Sequence, residues 1–97
     1  MEECAAVAAA LGIELPVSLE RRLEAALAVG DHKTSMLQDR EAGKPLEIDC
    51  LTGAVIEIAD LVDVPVPATR SVDACVRTSE VVRRAREPAE APRPAAA

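Results

Sequence analysis

The chain contains no Phe, Tyr or Trp in 97 residues. Aromatic side chains normally make the largest single contributions to a buried core. Without them the core must be assembled from Val, Leu, Ile and Ala, which suits close packing of helices better than a β-sandwich. The length allows one small domain, and a domain of that size folds with a thin stability margin. The same absence argues against binding of single-stranded nucleic acid, which relies on bases stacking on aromatic rings. A formal charge of −6 argues against the basic face expected of a duplex binder.

No run of 18 apolar residues is present, so no membrane helix is expected. Glu2 and Glu3 stand where a secretory signal would carry Lys or Arg. These features lead to a cytoplasmic expectation. The three cysteines, Cys4, Cys50 and Cys75, are far apart and odd in number. No CxxC or Cys/His spacing suggests zinc, and they read as small buried thiols in a reducing compartment.

Helical punctuation runs along most of the sequence. Residues 2–11 are Ala-rich and apolar nearly all round, and they end at Gly12, a natural residue to follow a helix end. Ser18 can cap a second helix to Val29, with Leu19, Leu23, Ala26 and Leu27 on one face. A third helix is expected from about Ser35 to Ala42, stopped by Gly43 and Pro45. A fourth, from about Glu47 to Val62, carries Ile48, Leu51, Val55, Ile58 and Val62 at helical spacing. Its narrow polar stripe of Asp49, Glu57 and Asp60 predicts a central position. Residues 55–66 are also rich in β-branched side chains, but the longer period fits the whole segment. A fifth helix is expected over residues 68–86, with Val72, Cys75, Val76, Ser79 and Val82 inward and arginines near its C-terminal end. Residues 87–97, EPAEAPRPAAA, lack a periodic apolar face and read as a disordered tail. The expectation is an all-α helical bundle over residues 1–86.

The four glycines assemble neither a GxGxxG nor a P-loop. His32, the single histidine, reads as a surface-loop residue, and no Ser-His-Asp set can be built on it. The densest stretch is KTSMLQDREAGKPLEID, residues 33–49. Ser35 stands three residues before Gln38, the capping-box spacing, so an ordinary cap accounts for it on residue logic alone. The functional alternative uses the same geometry, a hydroxyl beside free N–H donors that attract a carboxylate. Glu47 offers a similar choice between pairing with a helix dipole and orienting a substrate or a cofactor ribose. Lys33, Arg40 and Lys44 read as solvated surface charges.

The run HKTSMLQDREAGKPLEIDCLTGAV, residues 32–55, resembles the C-terminal domain of ketopantoate reductases (2-dehydropantoate 2-reductases). AVAAALGIELP at 6–16 and DVPVPAT at 63–69 resemble that family's flanking segments, and the resemblance covers about residues 3–80. Leu46 stands where the family often has Thr, and Thr52 where it has Asn. The resemblance implies a helical domain similar to the C-terminal domain of 6-phosphogluconate dehydrogenase. It implies NADPH as cofactor, a small 2-oxo acid as substrate, and a Rossmann domain on the other side of a shared cleft. By this resemblance Ser35 contacts substrate and Glu47 contacts the cofactor or substrate. The family's catalytic lysine lies upstream of the matched region, so no catalytic residue and no metal site is assigned here. The chain then reads as a truncated domain, inactive alone, that self-associates to hide the apolar surface of residues 4–11. The alternatives are a domain of a related 2-oxo acid reductase and a non-catalytic helical interaction or dimerisation module.

Overall fold

Local capping residues define most of the helices. In the computed structural model, which describes residues 1–87, α1 spans Glu2–Ala10, α2 Leu19–Val29, α3 Ser35–Glu41, α4 Thr52–Leu61 and α5 Pro67–Arg86, with a 3-10 turn at Ile48–Cys50. No strand occurs among the described residues, so the chain is all-α as expected. The stretch read as a disordered tail lies outside the described residues beyond Glu87.

The Ser18 hydroxyl accepts from the Arg21 amide at 3.2 Å, as its position before α2 predicts. At α3 the cap is Thr34, not Ser35. The Thr34 hydroxyl accepts from the Leu37 amide at 3.2 Å, which leaves Ser35 as the first helical residue. Three helices close with the same pattern, in which the amide after a left-handed residue reaches back five positions. Ile13 bonds Ala8 at 2.9 Å, Lys44 bonds Asp39 at 2.8 Å and Val64 bonds Ala59 at 3.0 Å. The left-handed residues are Gly12, Gly43 and Asp63, the last with φ 55°.

The expected fourth helix is divided. Ile48–Cys50 forms a 3-10 turn, Leu51 breaks the path with φ −104° and ψ −100°, and α4 starts at Thr52. Thr and Gly at positions 52 and 53 are weak helix formers, and the Thr52 hydroxyl is engaged by Asp73 at 2.7 Å. Glu47 therefore precedes a short turn and is not in the first turn of a long helix. Pro67 opens α5, where a missing N–H costs nothing.

The predicted central position of the fourth segment holds: α4 packs against α5, the 3-10 turn and α1. The core is small, with Val7, Ala59 and Val66 buried together and Val55, Ile56, Val62 and Val64 packed on them. Many large apolar side chains remain exposed, Leu27 and Leu61 most of all. A radius of gyration of 16.8 Å exceeds the roughly 12–13 Å of a compact chain this long, so the bundle is open. α2 buries no residue, and its Leu23 and Leu27 face solvent.

The inward face of α5 differs from the expected one. Asp73 and Glu80 are the buried residues of this helix, while Val72, Cys75 and Val82 are exposed and Val76 and Ser79 half-buried. Polar partners on α1, α3 and around the 3-10 turn set its rotation, so an apolar count alone selected the wrong face. The three cysteines are likewise exposed. α1 buries only Val7, Cys50 ends the exposed side of the 3-10 turn, and Cys75 lies on the open side of α5.

Candidate functional site

Ser35 and Glu47 bracket α3 and its stop. Thr34 holds the start of α3, and the Lys33 ammonium returns to Glu41 at 2.7 Å. The Gln38 side chain donates to the Lys33 carbonyl at 2.9 Å. These local ties join the residues on both sides of Ser35. Gly43, with φ +71°, turns the chain where a Cβ would be strained, and Pro45 follows. Ile48, buried at the next turn, anchors the segment just beyond Glu47.

Both side chains are exposed, and neither takes part in a hydrogen bond or ion pair among the described residues. α3 is only seven residues long, so its dipole is small and the hydroxyl itself is the useful donor at Ser35. A cleft of about 370 Å³ opens between α3, Leu46 and α5. Thr34, Met36, Leu37, Leu46, Val76 and Ser79 contribute to its walls. The chain neighbours of Ser35 and of Glu47 thus meet in one cleft, although neither residue forms its wall.

Two charged clusters link this region to α5. Arg40, read from sequence as a solvated charge, instead donates to the Glu80 carboxylate at 2.8 Å. Arg83 donates to the same carboxylate at 3.1 Å and also pairs with Glu87. One helical heptad earlier, Asp73 accepts from the Thr52 hydroxyl and from Arg77 Nε, each at 2.7 Å. Arg77 Nη1 then meets Asp49 of the 3-10 turn at 2.7 Å. Arg77, followed by Thr52, holds the Asp73 carboxyl below its ordinary range. Arg83, followed by Arg40, does the same for Glu80. The signal available in sequence was the seven-residue repeat of acids on α5, each with an arginine three or four residues on.

His32 is exposed in the loop after α2. Among the described residues no three His, Cys, Asp or Glu side chains converge to hold a metal ion, and no helix is long and apolar enough to cross a membrane.

Residues 1–80 match the family described as ketopantoate reductase C terminal. A 2-dehydropantoate 2-reductase of Mesorhizobium japonicum is 48% identical over 83 residues, covering 86% of this chain and 26% of that protein. The chain therefore spans about a quarter of the length of that curated relative. No solved structure gives a significant match.

Proposed function

For a chain that belongs to the ketopantoate reductase C-terminal family, we propose the role of substrate-side domain in an NADPH-dependent 2-dehydropantoate 2-reductase of the cytoplasmic pantothenate pathway. Residues 1–86 form that domain. The reading is supported most by the segment from Ser35 to Glu47, which borders one cleft and leaves a hydroxyl and a carboxylate exposed, without partners among the described residues. The Ser35 hydroxyl donates to the oxygens of a 2-oxo acid. Glu47, exposed and unpaired among the described residues, accepts from hydroxyl groups of the cofactor ribose or of the substrate.

Reduction of the keto group needs a hydride at carbon and a proton at oxygen, both delivered within contact distance. A bound NADPH supplies the hydride. This chain orients the substrate and supplies neither the general acid nor a nucleotide cradle. Lys33 is already tied to Glu41. A Rossmann domain carrying the acid completes the site, and the isolated chain is inactive.

The uncovered leucines of α2 favour one addition: the chain self-associates through that face. Grafting residues 1–80 in place of the matching region of the Mesorhizobium japonicum relative tests the main reading. Ketopantoate-dependent NADPH oxidation by the graft, with none by the chain alone, supports it. A folded graft without activity, or turnover by the chain alone, contradicts it.

A further inference from the structure

Asp73 and Glu80 lie seven residues apart, two helical turns along one face of α5. Glu80 is linked to Arg40, within the segment between Ser35 and Glu47, and Asp73 to Asp49 and Thr52 just beyond it. Glu80 holds Arg40, and this is the one hydrogen bond or ion pair from α3 to another helix among the described residues. The Glu80 side chain is about one-tenth exposed, and Arg40 about one-third. Arg83 holds the same carboxylate and shares its Oε1 with Arg40. Asp73 holds Arg77, which reaches Asp49 two residues beyond Glu47, and it also holds Thr52 just after the turn.

Gly53 makes room for this second link. A Cβ there would lie 2.8 Å from Arg77 Nη2 and 3.1 Å from the Ile48 carbonyl. No residue of α3 is buried, so apolar packing gives it little hold on α5. Charge pairs therefore do the registering that apolar contacts do elsewhere in the molecule.

We propose that Asp73 and Glu80 are positioning residues: α5 acts as a rail whose two carboxylates separately fix the Glu47 turn and the Ser35 helix, and so set the spacing of the two site groups. The inference rests on the reading of Ser35 and Glu47 as site residues.

Amide hydrogen exchange by NMR on the chain tests the positioning without any substrate, whether or not the site binds ketopantoate. Arg40→Met should speed exchange at Gln38 and Ala42 by about fivefold, the scale of one ion pair, and leave Cys50 and Leu51 unchanged. Asp49→Asn should do the reverse. Arg40→Lys should restore much of the protection that Arg40→Met removes. Arg40→Met should add little to Glu80→Gln, as a direct pair requires. Unchanged exchange at both segments, or a uniform rise that includes the amides of α4, overturns the proposal. Both partners chosen for the single changes are on the accessible side of their links, so the fold survives their loss.

Discussion

Glu3, in the first turn of α1, caps α5 across a sequence separation of 66 residues. Its carboxylate accepts from the Thr69 amide at 2.7 Å, from the Thr69 hydroxyl at 2.6 Å and from the Ala68 amide at 2.9 Å. A helix start leaves such amides without intrahelical partners, and α5 has no capping side chain of its own. The contact therefore fastens α1 to α5 around the Val7–Ala59–Val66 core. Glu3→Ala should lower Tm by several degrees, as loss of a cap does, and Glu3→Asp should recover little, because its shorter side chain falls short of Thr69. Thermal unfolding followed by circular dichroism measures both.

Acid should weaken the fold in part through three carboxyls. Glu3, Asp73 and Glu80 are each held below their ordinary values, 4.5 for Glu and 3.8 for Asp, chiefly by Thr69, Arg77 and Arg83 respectively. Each folded-state value lies under the unfolded one, so the unfolded chain binds more protons as pH falls. Their contribution is complete above the ordinary values and is lost as pH drops through the depressed ones. Urea midpoints measured from pH 7 down to pH 3 should fall in that lower range. Glu80→Gln should flatten the slope.

Asp63→Gly should stabilise the chain by about 0.5–1 kcal/mol, because a left-handed residue costs less without a Cβ. Asp63 occupies the position after α4 that Gly12 and Gly43 occupy after α1 and α3. Gly53→Ala should act in the opposite direction. Better helix propensity is outweighed by crowding against the Ile48 carbonyl and by displacement of Arg77, for a net loss of about 1 kcal/mol. Urea unfolding reads both changes.

The face of α2 offers a solution test. Leu23 and Leu27 are exposed on a helix with no buried residue. Sedimentation should show association rising with concentration, and Leu23→Glu with Leu27→Glu should shift the population to monomer without loss of helicity. A concentration-independent monomer before substitution contradicts self-association.

Helix starts and stops were legible because each depends on a few local residues: Ser18 before α2, and Gly12 and Gly43 after α1 and α3. The alternation of caps and apolar spacing also gave the all-α class and the central place of α4. The Thr34 cap was missed because Thr and Ser are adjacent and both can cap. The inward face of α5 was missed for a different reason. Apolar periodicity assumes that burial follows hydrophobicity, whereas Asp73 and Glu80 are buried by partners 21 and 40 residues away. The same long-range pairing explains why Arg40 looked like a surface charge. Ser35 and Glu47 are singled out as site positions only by a resemblance, since residue spacing alone leaves each divided between helix punctuation and ligand contact.

The central claim is that Ser35 and Glu47 are the contribution of this chain to a reductase site. Steady-state kinetics of the active graft, with and without Ser35→Ala and Glu47→Gln, test it most directly. Each change should lower kcat/KM for ketopantoate by about tenfold to a hundredfold, the scale of a lost hydrogen bond to a charged group, while the graft stays folded. Unaltered kcat/KM in both variants would contradict it.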